Sequence, residues 1–229
     1  MPTTSFSRLL RSAFRACRKI VSAKQRRHSE VGPPELWEMK RQFQYDFLLK
    51  QGLRTTDHLL DIGCGTVRGG IPLISYLDAG GYYGLDTRSS VIEKAREELQ
   101  EHGLQSKEPV LIAYSSFSEL VDMPVFDVIW SFSVLFHMTD EIVSQCFMYV
   151  GEKLPAHGRF FANVHIGEER DASWKEFPVV WRSMESYASL AESAGLKMTR
   201  LGTLRELGHV SGIDEQDDQI MLAFERLSP

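Results

Sequence analysis

The stretch HLLDIGCGTVRGGIPL, residues 58–73, decides how the rest of the chain is read. Leu59, Leu60 and Ile62 surround Asp61, and glycines follow at 63, 65, 69 and 70. Glycine at that density sacrifices backbone entropy, so something must come very close to this backbone or the chain must turn sharply there. A strand that enters a Gly-rich turn and leaves as a helix is a nucleotide-site signature only in the right context. That context is a second strand ending in an acid, and GYYGLD supplies it with Asp86, 21 residues after Gly65.

Outward from this stretch the chain alternates. ELWEMKRQFQYDFLLKQGL reads as a helix stopped by Gly52, with Leu36, Met39, Phe43, Phe47 and Leu48 at helical spacing. After the first strand come the helix GGIPLISYLD, the strand GYYGLD, and the helix SSVIEKAREELQEHG with Ser89 or Ser90 as its cap. PVLIAY and FDVIWSF are strands three and four; TDEIVSQCFMYVGEKL is a helix capped by Thr139 or Asp140. GRFFANVHI is strand five, SMESYASLAESAG a helix opened by Ser183 and Ser186, and LKMTRLG and QIMLAFER are the last two strands. The expected fold is α/β: a Rossmann-like, doubly wound, seven-stranded sheet, mostly parallel, with an antiparallel last strand. The last two strands have no helix between them and should pair at one edge. Ligands of such sheets sit beyond the carboxyl ends of the strands.

The chemistry of the turn narrows the ligand. A phosphate-binding loop of the GK[ST] kind is absent from GTVRGG. Asp61, two residues before the first glycine, repels a pyrophosphate but suits a ligand carrying an amine and a sulfonium cation.

On these residues the chain resembles the class I S-adenosylmethionine-dependent methyltransferases, of small-molecule type, over roughly residues 53–226. LLDIGCG is similar to that family's first motif and YYGLDTR to its second. FDVIWSFSVLFHM, VGEKLPAHGRFFANVH and SMESYASLAESAGLKMTRLG are similar to its later strands and helices. The resemblance implies S-adenosyl-L-methionine as cofactor, with Asp61, Gly63, Cys64, Gly65 and Gly69 around its methionine end and Arg68 reaching the carboxylate. It implies Asp86 and Thr87 at the ribose, Ser115, Ser116 and Phe117 at the adenine, and Ser131 at the end of strand four. Two features depart from the family pattern. Its third turn glycine would fall at Val67, and strand three ends in AYSSFSEL instead of an acid.

The acceptor should sit against strands four and five. SFSVLFHM lacks the Asp/Asn-Pro-Pro-aromatic pattern used on adenine amines, and neither Cys64 nor Cys146 looks like a cytosine-methylating nucleophile. His137, just past strand four, is the candidate base for an acceptor hydroxyl; helix capping or packing is the competing reading. His165, ending strand five, could orient or replace it. Trp37, Gln42 and Tyr45 are candidates for a lid, with core packing equally open for Trp37. His209 falls in an acidic loop read as solvated. The expected activity is O-methylation of a small-molecule acceptor, without a metal. The alternatives are a non-catalytic cofactor-binding scaffold, or a protein or RNA methyltransferase.

The bulk numbers set the frame. The chain has 229 residues, 43% hydrophobic and 25% charged, which suits one domain with a short appendage. Three cysteines, 17, 64 and 146, give no disulfide or zinc pattern and favour a reducing compartment. Residues 1–29 hold eight basic residues and no acid, leaving 18 basic against 31 acidic residues in the remainder. Such a body is a poor general nucleic-acid binder. In the arm, Phe6, Leu9, Leu10, Ala13, Phe14, Cys17, Ile20 and Val21 share one helical face at about 100° per residue, opposite Arg8, Arg11, Arg15, Arg18 and Lys19. This suits an anionic membrane surface, a mitochondrial transit peptide, or a helix docked on the body. VGPPE at 31–35 punctuates the chain, so the division is an arm, 1–30, and a domain, 35–229. The expected location is the cytoplasm, with peripheral membrane attachment, or the mitochondrial matrix if the arm is a targeting peptide.

Overall fold

The computed structural model describes residues 24–168 and 172–227, so the face expected between Phe6 and Val21 lies outside the described residues. Helix α1 (Trp37–Lys50) precedes β1 (Leu59–Ile62), α2 (Gly70–Tyr76), β2 (Tyr82–Asp86), α3 (Ser89–Glu101) and β3 (Val110–Ala113). The second half holds β4 (Val128–Ser131), α4 (Asp140–Lys153), β5 (Arg159–Val164), a hairpin of β6 (Ala172–Trp174) and β7 (Phe177–Val179), then α5 (Met184–Ser193) and β8 (Leu196–Thr203). A single turn, α6 (Asp214–Asp217), leads into β9 (Ile220–Arg226).

The main sheet has seven strands in the order β3-β2-β1-β4-β5-β9-β8. The first five run parallel, and β9 lies antiparallel to both β5 and β8. The last two strands do pair with each other, but β9 is interior and β8 forms the edge. The chain order reverses between β1 and β4, so the carboxyl ends of these strands open a crevice at the switch point.

Alternation along each strand feeds two cores, one on each face of the sheet. Leu59 and Trp130 join Phe47, Trp37 and Phe161 on one face. Leu60 and Ile129 join Phe147, Phe160 and Phe224 on the other. Both clusters consist of buried residues, which is why β1 and β4 read as short apolar runs without polar alternation.

Two local expectations need correction. Helix α3 begins at Ser89 with Arg88 at the cap position and no side-chain cap bond, so neither Ser89 nor Ser90 caps it. Thr139 is the cap residue of α4, again without a side-chain bond. Ser183, in contrast, accepts from the Ser186 amide at 3.1 Å. The hairpin β6–β7 was not expected: ASWKEFPVV is short and carries a proline in its second strand, a weak pattern for pairing.

Residues 24–31, on the arm's side of the proline pair, pack against the body. The ring of His28 stacks on Trp37 with centroids 3.5 Å apart. The buried guanidinium of Arg27 meets Glu98 at 2.8 Å and Glu101 at 2.5 Å, and Glu98 is fully buried on α3. Removing one partner of such a pair strands the other charge. Arg27→Met is expected to lower stability by about 3 kcal/mol, read as a reduced urea midpoint at constant slope; an unchanged midpoint would mean that this segment adds nothing to the fold.

Candidate active site

The turn after β1 is pinned from the neighbouring strand: the amides of Gly63 and Cys64 both donate to the Leu85 carbonyl, at 2.7 and 2.8 Å. Gly63 and Gly65 adopt φ of 77° and 57°, values that L side chains rarely take. Space is as restrictive as conformation. A Cβ on Gly63 would lie 2.3 Å from Val134, and one on Gly65 2.3 Å from Val31. Val67, where the third glycine was expected to fall, is itself left-handed at φ 54° with its side chain fully buried. A β-branched residue there costs roughly 1–2 kcal/mol, offset by the burial of its methyl groups.

A cavity of about 540 Å³ opens over this turn. Asp61 lies in its wall, buried, and accepts from the Tyr82 hydroxyl at 2.7 Å. Burial pushes its carboxyl up to about 7, against the pull of the Tyr82 bond; Asp86 adds to the rise and Arg68 opposes it. The buried Arg68 guanidinium donates to the Val31 carbonyl at 2.8 Å, while its Nε has no hydrogen-bond partner among the described residues. Burial lowers Arg68 to about 10.

Sequence reasoning missed a second cation here. Lys40, on α1, is buried in the cavity wall, and its ammonium is pushed down to about 7 by burial, with Arg68 adding and Asp217 opposing. The signal was available: Lys40 and Gln44 share the helical face of Trp37, Phe43, Phe47 and Leu48, all buried. Gln42 faces out and bonds to Asp46, so it is no part of a lid.

Asp86, at the end of β2, is held by the Arg88 amide at 2.9 Å and the Arg88 guanidinium at 3.1 Å. Thr87 lies beside it in the wall. Beyond are Tyr114 and Phe117, two buried rings 5.2 Å apart. Ser115 is bound to Glu119 and Ser116 caps Ser118, so both hydroxyls already have protein partners. Ser131 is fully buried in β4 and does not reach the wall; its hydroxyl has no partner among the described residues.

The other half of the cavity is aromatic. His137 follows β4 in a single helical turn, and its Nδ1 lies 2.8 Å from the Pro178 carbonyl of the hairpin. A carbonyl can only accept, so Nδ1 carries the proton and Nε2 keeps its lone pair. Burial lowers His137 below its usual range, the Pro178 bond opposes this, and the Arg88 charge adds to it. His165 also lines the cavity. Its state follows from a directional chain: the Ser133 amide donates to Asn163 Oδ1 (2.7 Å), Asn163 Nδ2 to Gln219 Oε1 (2.5 Å), and Gln219 Nε2 to His165 Nε2 (3.1 Å). Each donor fixes the next amide's orientation, so Nε2 of His165 is an acceptor already in use. His209 is not solvated as expected. It is buried, bonded to Asp217 at 2.8 Å, and burial lowers its pKa.

Residues 60–160 match the family described as a methyltransferase domain. A Schizosaccharomyces pombe protein described as an uncharacterized methyltransferase is 27% identical over 104 residues, 43% of this chain and 36% of its own length. The chain thus matches little more than a third of that relative. Among solved structures, the magnesium protoporphyrin IX methyltransferase of Synechocystis PCC 6803 with bound S-adenosylmethionine has a TM-score of 0.61 at 16% identity, covering 82% of this chain and 80% of that one. A mitomycin 7-O-methyltransferase has a TM-score of 0.59 at 20% identity, covering 84% of this chain and 54% of that one. At these identities the likeness is one of fold.

The raised carboxyl of Asp61 predicts a trade between stability and binding. Its folded pKa of about 7 lies above its unfolded value, so the folded protein holds a proton that the unfolded chain releases. Stability is therefore lost as pH rises from about 4 to 7, and the full penalty remains above that window. Asp61→Asn keeps an acceptor for Tyr82 and removes the charge. At about pH 8 it is expected to stabilise the ligand-free protein by about 2 kcal/mol, with a smaller gain near pH 4, while cofactor affinity measured by calorimetry falls at least about tenfold.

Proposed function

We propose that this protein, whose residues 60–160 match a methyltransferase domain and whose fold is shared with S-adenosylmethionine-dependent methyltransferases, moves a methyl group from S-adenosylmethionine to a hydroxyl of a small-molecule acceptor, with His137 as the base. The observation that carries the reading is the Pro178 contact, because it engages Nδ1 and leaves Nε2 as the basic nitrogen of a histidine that lines the same cavity as Asp61.

The residues present fit the cofactor group by group. Asp61 suits the amine, and Arg68 with Lys40 suits the carboxylate, since both are buried cations in the wall with no carboxylate bonded to them among the described residues. Asp86 suits the ribose hydroxyls, in exchange for its bonds to the Arg88 side chain. Tyr114 and Phe117 offer apolar rings at the far end. When bound, S-adenosylmethionine supplies a methyl carbon on a sulfonium, which oxygen captures as the sulfur keeps the bonding pair. The protein's task is then alignment, exclusion of water and removal of one proton. His137 accepts that proton, Pro178 holds the imidazole, and the hairpin and residues 31–33 line the cavity.

The hydroxyl acceptor has a parallel in the mitomycin 7-O-methyltransferase, whose fold is shared. The acidic balance of the body argues against RNA as acceptor. A second part of the proposal is that the basic arm seats the protein on anionic membrane, with the mitochondrial matrix as the alternative address; no helix among the described residues is long and apolar enough to cross a bilayer.

His137→Ala is expected to keep cofactor affinity within about twofold while turnover falls by about a hundredfold or more. In the native enzyme kcat should be flat through neutral pH and decline only below about 6.5, because protonation of a lowered imidazole removes the base. Unchanged turnover in the variant would remove His137 from this role. Absence of cofactor binding at millimolar concentration would remove both the enzyme and the scaffold readings. For the arm, flotation of the full chain with anionic vesicles should weaken with salt and be lost when Arg8, Arg11, Arg15 and Arg18 are replaced by Glu.

A further inference from the structure

The hairpin β6–β7 makes the roof of the acceptor half of the cavity, and its inner surface is aromatic. Trp174 and Phe177 bring their rings to His137, with centroids 5.4 and 6.1 Å away. Phe136 lies 4.6 Å from His137 on the adjoining side and 4.5 Å from His165. Trp181, just after the hairpin, lies 4.8 Å from His165. The ring pairs are tilted at 31° to 62°, so the compartment offers faces and edges to a flat guest.

The roof is also fastened. Val180 donates to the Phe136 carbonyl at 2.8 Å, and Pro178 holds His137. At the tip, Lys175 bonds to Glu30 at 2.7 Å, and Glu30 also meets Lys94. Behind Phe177 stands the guanidinium of Arg88, 5.5 Å from the ring centroid. These contacts hold the aromatic walls in place before any guest arrives, which lowers the cost of ordering them on binding.

We propose that the acceptor is a planar aromatic molecule methylated on a phenolic hydroxyl, held against Trp174 and Phe177 with its oxygen at His137 Nε2. This deepens the O-methyl transfer reading and rests on it. The step balances simply: the phenolic proton goes to Nε2, the oxygen takes the methyl carbon, and the sulfur keeps the pair of the broken bond. The strength of the base agrees with that choice of hydroxyl. Burial and Arg88 keep His137 below its usual range, so it is a weak acceptor of protons. A phenolic hydroxyl ionises near about 10, whereas a water-like aliphatic hydroxyl ionises near about 16. The first asks less of a weak base than the second does.

Naphthol and its saturated counterpart decahydronaphthol test this in the full chain with cofactor. Naphthol should quench tryptophan fluorescence and be methylated with a kcat/KM at least about a hundredfold above decahydronaphthol. Trp174→Leu, which keeps apolar bulk and removes the ring, should weaken naphthol binding about tenfold or more while cofactor affinity holds. His137→Gln should keep naphthol binding and lose turnover, which separates the roof from the base. Equal or better methylation of decahydronaphthol overturns the phenolic class and leaves O-methyl transfer standing. Methylation of an amine or thiol probe in place of either alcohol overturns both readings. A chain that binds cofactor but neither binds nor methylates naphthol also overturns the proposal.

Discussion

The carbonyl of Leu85 accepts the amides of both Gly63 and Cys64, and much else depends on that double bond. It ties the turn after β1 to the end of β2, so the two acids that close these strands, Asp61 and Asp86, face one cavity. A turn held this tightly must pass through positive φ twice in three residues, which is why glycines stand at 63 and 65. The space above them is taken by Val134 and Val31, so the same glycines admit the segment after β4 and the segment before α1. The loop therefore fixes the segment after β4 and the segment before α1 relative to the ends of β1 and β2.

Inside this frame charges of both signs are buried in one cavity wall. Asp61 is buried with its pKa raised, and Lys40 and Arg68 are buried with theirs lowered. Each shift reports a charged form that the ligand-free interior disfavours. A ligand carrying an amine at one end and a carboxylate at the other would relieve both strains.

The acceptor side follows a different logic, with ring faces in place of charges. His137 acquires its tautomer from Pro178, 41 residues away, and His165 acquires its own through Asn163 and Gln219. Two imidazoles on one cavity are thus set apart: His137 donates from Nδ1 to a carbonyl, and His165 accepts an amide at Nε2. Neither assignment is a property of histidine in its local sequence.

The succession of strands and helices, the Gly-rich turn and the acids at 61 and 86 were legible in the sequence, because they depend on local periodicity and short spacing; the position of β9 inside the sheet was not. Lys40 was legible too, since helical spacing alone puts it on the buried face of α1. The left-handed Val67, the buried His209 and the roof formed by β6–β7 were not. Val67 takes a conformation that its own propensity resists, and only surrounding packing holds it there. His209 lies in an acidic stretch whose Asp217 turns inward to bond it, so composition misleads. By itself the sequence determined a Rossmann-like sheet with a Gly-rich turn after its first strand and an acid at the end of its second. Only the tertiary structure decided which imidazole can take a proton and what faces it, because those depend on carbonyls, amides and rings brought together across tens of residues.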